Sequence, residues 1–361
     1  MQNDYKQLEK QLKQGRTALR KHPFFGYLVL AVILVLLQVS FMTGIGGFMT
    51  LTISRTIAMT MVYIVGAMGL GILVGMSGLI SLGTAAFVGL GAYIAGNMLR
   101  TFTGIPFTVI LLVTVTAAAV MGAVIGFISL RARGLYLMIV TMGFAIVMQQ
   151  LYIAPNNFTG GVMGLTRIPF PTLAMALQLN RETVYFLVLA VMFLLVWVTL
   201  NIIKSPMGRA MLAMASSEPL AQAMGVQLLK YRILAFIIAT AYAMVAGVLW
   251  VSTLSAATPV SWTFMLSLNL LAVMILGGSV MPSGIMLGAF VIYALDLIFL
   301  RRFAFFVNFP QAVPILIGVL MILIFARFPG GLTRVIKEFM NLFIKLFRKW
   351  RMYRYGPELE V

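Results

Sequence analysis

The chain has 361 residues, of which 62% are hydrophobic and 9% are charged, and its formal net charge is +18. A water-soluble domain carries about 25% charged residues, so this composition excludes a soluble globular protein and predicts a membrane protein. There is no cysteine and a single histidine, His22, which excludes disulfides and cysteine-based metal sites. The Lys and Arg residues lie in the polar gaps between apolar runs, so we expect no nucleic-acid binding.

The chain begins with a polar tail rich in Lys and Gln, residues 1–22, which we expect to be cytoplasmic. The apolar run after it is too long for a signal peptide and lacks a small-residue cleavage site, so we interpret it as a retained helix. We predict an all-α polytopic membrane protein with about ten transmembrane helices. They lie near 24–42, 57–76, 85–99, 106–130, 135–153, 184–203, 233–254, 264–278, 285–300 and 312–328.

The distribution of basic residues predicts the orientation of these helices. With both termini in the cytoplasm, 20 of the 26 Lys and Arg residues fall on the cytoplasmic side, as the positive-inside rule requires. The pair Arg301–Arg302 is the exception. We divide the chain into the tail at 1–22, a permease domain at 23–332 and a basic tail at 333–361. Apolar and basic residues alternate at helical spacing over 334–354, which favours an interfacial helix on anionic membrane lipid over a solvated tail.

Two Gly-rich stretches, 78–92 and 277–290, each follow one apolar run and open another. In the predicted topology they fall in helix groups of opposite orientation, which is typical of the inverted repeats of transporters. Close helix packing explains glycine in membrane helices equally well. An inverted repeat is therefore a hypothesis beside that simpler explanation.

Several kinds of chemistry are missing from the chain. Asp296 is the only acid in the predicted spans and lies near an end, so no ion-coupling carboxylate is evident. No phosphate-binding loop occurs, so energy for uphill transport would come from another polypeptide. Gly75-Met76-Ser77-Gly78 matches a short intramembrane protease string, but its serine has no base because His22 is in the tail. We therefore expect neither an enzyme nor a metal site.

The longest predicted cytoplasmic loop, 204–232, reads KSPMGRAMLAMASSEPLAQAMGVQLLKYR. Ser216 or Ser217 could cap a short helix with Glu218 in its first turn, and Gly225 would end that helix. The loop is several times longer than a simple connection needs and is rich in helix-forming Ala and Met. We predict a helix-turn-helix that docks a partner, in preference to a loop packed quietly on the membrane face.

This loop resembles the coupling loop of ABC-importer permeases, and more narrowly that of the second permease type of the branched-chain amino acid family. Matching marks occur in order along the chain: GMSGLISLGTAAFVGLGAY at 75–93, RARGLYLMIVT at 131–141, TGGVMGL at 159–165, the Gly-rich turn at 277–289 and PGGL at 329–332. The chain departs from the family at Thr84, where His is frequent, and at Ala215 and Ser216, where an Arg-Glu pair is frequent.

The resemblance implies a permease subunit of an ATP-driven importer for branched-chain amino acids or a related small polar solute, in the bacterial plasma (inner) membrane. It implies a second permease subunit, two ATP-binding subunits and a periplasmic or lipid-anchored substrate-binding protein as partners. The chain itself would bind no cofactor, since ATP would sit on the partner subunits. The residues that match the coupling loop are Ser205, Pro206, Gly208, Arg209, Glu218, Ala221 and Gly225.

A polar solute needs polar groups along its path through the membrane. From polarity and position, the candidate residues are Ser77, Ser81, Thr84, Thr141 and Asn269. The alternative is that these side chains only bond their own helices. The outer loop at 155–182 is long enough to meet a binding protein. The alternative function is a self-contained passive channel or secondary transporter for a small solute.

Overall fold

The computed structural model describes residues 25–43, 51–102, 104–129, 134–155, 157–172, 179–180, 182–278, 280–294, 308–309, 312–327 and 331–332. The tails predicted at 1–22 and 333–361 lie outside these residues, as do Arg301–Arg302 and the end of the span predicted at 285–300.

The described part of the chain is mostly helical, and its only β-pairing consists of two isolated bridges, Pro106 to Thr172 and Leu165 to Ala257. We number its twelve α-helices in chain order. They are α1 (Phe25–Thr43), α2 (Leu51–Leu70), α3 (Thr84–Thr101), α4 (Phe107–Ile128), α5 (Leu135–Ile153), α6 (Thr183–Lys204), α7 (Pro206–Ser216), α8 (Glu218–Ala223), α9 (Leu228–Leu254), α10 (Phe264–Gly277), α11 (Pro282–Ala289) and α12 (Ala312–Arg327).

Six helices in the described ranges are long and apolar enough to cross a membrane: α1, α2 with its extension to Met76, α4, α5, α6 and α9. Helices α10 and α11 are shorter and also apolar. The fold class predicted from the sequence, an all-α polytopic membrane protein, is thereby confirmed.

The outer faces of α4 and α5 are apolar, as contact with lipid requires. Leu112, Val120 and Phe127 of α4 are each at least 60% exposed, and Ile139 of α5 is 64% exposed. In water such a surface would be far larger than the apolar patches that soluble monomers expose. In a bilayer it faces acyl chains.

Helix α9 lies at the centre of the described bundle and packs against α2, α3 and α4. Small residues let the backbones approach closely at these crossings, as is common in membrane helices. A Cβ at Gly247 of α9 would lie 2.0 Å from the Val88 oxygen of α3, and one at Gly91 would lie 2.2 Å from the Met244 oxygen. The glycines of these crossings are therefore required by packing.

Helix α2 ends in a π-helical turn, Gly71–Met76, and residues 77–83 are not helical before α3 begins. This break was predicted as a short uncharged gap at 77–84. The second predicted gap, 279–284, is shorter than expected because Pro282 starts α11, in keeping with the preference of proline for a first helical turn. The inverted repeat stays a hypothesis.

Candidate coupling site and translocation path

The loop at 204–232 folds into the two short helices α7 and α8, as predicted. Ser205 caps α7, because its hydroxyl accepts a hydrogen bond from the Gly208 amide at 3.1 Å, and Pro206 occupies the first helical position. A Cβ at Gly208 would lie 2.2 Å from the Ile202 oxygen. The Ser-Pro-Met-Gly string is therefore what allows α7 to turn back directly from the end of α6.

Helix α8 begins and ends where the sequence predicts. Ser217 occupies the N-cap position in an extended conformation, with Glu218 as the first helical residue. Gly225 follows the helix with φ of +83°, a left-handed conformation that favours glycine. Ala221 is buried beneath the helix. The two helices thus form a compact projection with a defined inner and outer side.

The outer side of this projection carries an exposed apolar patch, which we call the knob. It consists of Leu220, 63% exposed, and Met224, 80% exposed. Leu212 and Leu229 are also exposed, and Arg209 stands at the start of α7. In the predicted topology the knob lies on the cytoplasmic side of the protein. An exposed apolar patch in that position is typical of a protein interface.

Among the contacts between the projection and the membrane helices, one reaches the central helix and another reaches the break. The Glu218 carboxylate forms an ion pair with the guanidinium of Arg232 in α9, and Arg232 is almost completely buried. Ala215 of α7 lies against Gly78 in the break after α2, with 3.4 Å between the Ala215 Cα and the Cβ position of Gly78. The knob is therefore linked directly to the break and to the central helix.

Three of the predicted path residues lie in or beside the break. The Ser77 hydroxyl donates to the Ile72 oxygen at 3.2 Å, one π-helical turn back, so it bonds its own helix. The Ser81 hydroxyl accepts from the Gly83 amide at 3.3 Å. Thr84 is the first residue of α3 and is buried.

Hydroxyl groups from two other helices hold the end of the break. The Thr141 hydroxyl of α5 accepts from the Leu82 amide at 3.0 Å, and the Ser267 hydroxyl of α10 accepts from the Ala85 amide at 2.8 Å. Both side chains are buried. The first bond holds an amide of the break, and the second satisfies an amide in the first turn of α3, which has no partner within the helix. Thr141 was a candidate from the sequence, whereas Ser267 was not, because one serine in an apolar helix carries no distinguishing signal.

Ser81 and Thr84 come together at a small cavity between the break and α9. The cavity's volume is about 10 Å³, roughly the space of one water molecule. It also includes Thr240 of α9, a residue that sequence reasoning missed. The other lining residues are apolar: Leu70, Leu73, Phe87, Phe236, Ala239 and Ala243. Asn269 of α10 is half-buried and is not among the residues that line it.

The residues that line this cavity combine three that carry hydroxyl groups with six that are apolar. That combination suits a small amphipathic solute, because binding sites commonly set a few polar groups in an apolar wall. At the present size the cavity does not admit an amino acid. A path through this region therefore needs the break to move relative to α9.

The predicted outer loop is built around a tight glycine turn. Gly160, Gly161 and Gly164 all have positive φ, and a Cβ at Gly164 would lie 2.3 Å from the Ala257 oxygen. Its tip exposes Val162 and Met163, which are 73% and 83% exposed. The Thr-Gly-Gly motif thus shapes a surface feature at the end of the protein opposite the knob.

Comparison with known proteins agrees with this architecture. Residues 52–325 match the family model described as "Branched-chain amino acid transport system / permease component". The high-affinity branched-chain amino acid transport system permease protein LivM of Salmonella typhimurium is 31% identical over 308 residues, which cover 79% of this chain and 70% of that protein. LivM of Escherichia coli K12 is 30% identical over 308 residues, which again cover 79% of this chain and 70% of that protein. A probable LivM of Methanocaldococcus jannaschii is 28% identical over 62% of this chain and 68% of that protein. No solved structure matches the chain.

Proposed function

The chain belongs to the family of permease components of branched-chain amino acid transport systems, and from this premise we propose that it is the membrane subunit of an ATP-driven importer. The names of its relatives describe permeases of branched-chain amino acid transport systems. We assign the same class of solute to this chain. The protein is a transport subunit, and the ATP is bound and hydrolysed by partner subunits. The location is the plasma membrane of a bacterium, with the loop at 204–232 in the cytoplasm.

The observation that carries this proposal is the knob. The described chain leaves Leu220 and Met224 uncovered, and in the predicted topology they lie at the cytoplasmic end of the protein. Binding of a partner over Leu220 and Met224 would remove their apolar surface from water, which favours association. We therefore assign the knob as the docking point for an ATP-binding subunit, with Ser205, Pro206, Gly208 and Gly225 shaping the two helices that present it.

The remaining partners follow from the geometry of an importer. A second permease subunit would bring a second knob, so that two ATP-binding subunits dock on the pair. A periplasmic or lipid-anchored binding protein would deliver the amino acid at the opposite end, where Val162 and Met163 are exposed. No cofactor is assigned to this chain.

The solute path is assigned to the region of the break. Its hydroxyl groups at Ser81, Thr84 and Thr240 face a shared cavity with apolar walls, and a zwitterion with an aliphatic side chain needs both kinds of surface. The contact between Ala215 and Gly78 places the docking helices directly against this region. Nucleotide-driven movement of α7 would therefore act directly on the break at this contact.

The test of docking is affinity purification of the tagged chain after co-expression with its transport partners. Met224→Asp puts a charge at the centre of the knob, and we expect ATP-binding subunits to be lost from the purified complex. Met163→Asp is the matched control, because Met163 is equally exposed at the opposite end. It should retain the ATP-binding subunits. Equal recovery with both variants would contradict the assignment of the knob.

A further inference from the structure

Glu218 faces inward, although it belongs to the loop that resembles a docking loop. We propose that the Glu218–Arg232 ion pair is a mechanical link that transmits movement of the docking helices to the solute path, and that Glu218 is a positioning residue rather than a contact of the ATP-binding subunit. This inference rests on the proposed function. It separates two roles within the loop: the knob docks, and the ion pair transmits.

Arg232 needs the carboxylate of Glu218 because its guanidinium is buried. Arg232 is 2% exposed, and its Nε has no hydrogen-bond partner among the residues that the structure describes. A buried guanidinium is stable only when it is neutralised and hydrogen-bonded. The Glu218 carboxylate supplies this interaction from a different helix. Any displacement of α8 must therefore either carry Arg232 with it or break a buried ion pair.

Arg232 lies on the face of α9 that reaches the cavity. Phe236 and Thr240 follow it at intervals of four residues, which places the three side chains on one side of the helix. Phe236 and Thr240 both line the cavity with Ser81 and Thr84. A shift or rotation of α9 applied at Arg232 therefore changes the wall of the cavity one and two turns further along the same helix.

The exposure of the two sides of α8 supports the separation of roles. Leu220 and Met224 are 63% and 80% exposed, whereas the Glu218 side chain is 33% exposed and bonded to α9. A partner subunit that covers the knob would meet the apolar side chains first. Ala221, on the inner side, is buried and keeps α8 against the bundle. The helix thus acts as a rigid piece between the knob and the ion pair.

The experiment uses the whole importer, purified and reconstituted in proteoliposomes with binding protein and leucine outside and ATP inside. Glu218→Gln keeps the size of the side chain and removes its charge. Glu218→Arg and Arg232→Glu each place two like charges together, and the double reversal restores an opposite pair. The readouts are the ATP-binding subunits recovered on purification and the leucine moved per ATP hydrolysed.

We expect all single variants to retain the ATP-binding subunits. Relative to the unsubstituted importer, the leucine moved per ATP hydrolysed should be at least tenfold lower in the two charge-reversal variants. It should also be clearly lower in Glu218→Gln. The double reversal should recover a large part of that ratio. Loss of ATP-binding subunits in Glu218→Gln would overturn the inference, because it would make Glu218 a docking contact. A normal ratio in the single reversals would also overturn it.

Two further outcomes are decisive. If Glu218→Gln and the double reversal both fail to reach the membrane, the pair is a folding element and the inference is overturned. If the unsubstituted importer moves no leucine when ATP is supplied, the proposed function itself fails. The unsubstituted sample therefore tests the proposed function, and the variants test the ion pair.

Discussion

Replacing Gly247 with alanine tests whether the close contact between α9 and α3 sets the architecture of the core. The added Cβ would lie 2.0 Å from the Val88 oxygen and 2.7 Å from the Ala92 nitrogen, where ordinary contact begins at 3.4 Å. Both neighbours are backbone atoms of α3, so no side chain can rotate away. The two helices must separate by about 1 Å or more, or one of them must bend.

The expected cost follows from this overlap. Adding a methyl to a well-packed core destabilises a protein by about 1–3 kcal/mol. Alanine favours a helix over glycine by up to about 1 kcal/mol, which offsets part of the loss. We expect a net destabilisation of about 1–2 kcal/mol. Uptake should also fall, because Phe87 of α3 and Thr240 of α9 line the same cavity and would move apart.

The assay is the thermal midpoint of the purified protein in mild detergent, measured by size-exclusion chromatography after heating. Gly143→Ala in α5 is the control, since a Cβ there meets nothing within 4 Å. We expect a lower midpoint for Gly247→Ala and an unchanged or slightly higher one for Gly143→Ala. A midpoint for Gly247→Ala equal to that of the control would refute the packing argument.

Two other substitutions test the candidate site. Thr141→Val leaves the buried Leu82 amide without its acceptor, so we expect a loss of stability of about 1–3 kcal/mol in the same assay. Thr116→Val is the control, because its exposed hydroxyl bonds only its own helix, and it should change the midpoint little. Ser205→Ala removes the cap of α7, which is worth about 1 kcal/mol; we expect the uptake rate to fall with the protein still in the membrane, and full uptake would show that the cap is dispensable.

The helices could be predicted from the sequence because long apolar runs in a bilayer have few other solutions. Their ends were less predictable where a charge lies inside a helix. Helix α2 begins at Leu51, six residues before the predicted start, because Arg55 continues the helix. Helix α9 begins at Leu228 rather than 233, because Arg232 is buried and paired instead of marking the end of the loop.

The loop helices could be predicted in detail, since helix caps depend on neighbouring residues. Ser205 and Gly225 take the positions and conformations that local rules assign them, and Ser217 takes the N-cap position of α8, although its hydroxyl makes no capping hydrogen bond. Ser267 and Thr240 could not be predicted, because their importance comes from contacts with helices distant in the chain. Pairing Glu218 with Arg232 also needed the fold, since many acid–base pairs at that separation never meet.

Uptake of radiolabelled leucine into proteoliposomes tests the central claim most directly. The vesicles contain the chain either alone or with its second permease and ATP-binding subunits, with binding protein outside and ATP present or absent inside. We predict accumulation above the external concentration only with the complete set of subunits and internal ATP. Equilibration of leucine by the chain alone, without ATP, would contradict the account and identify a self-contained channel or carrier.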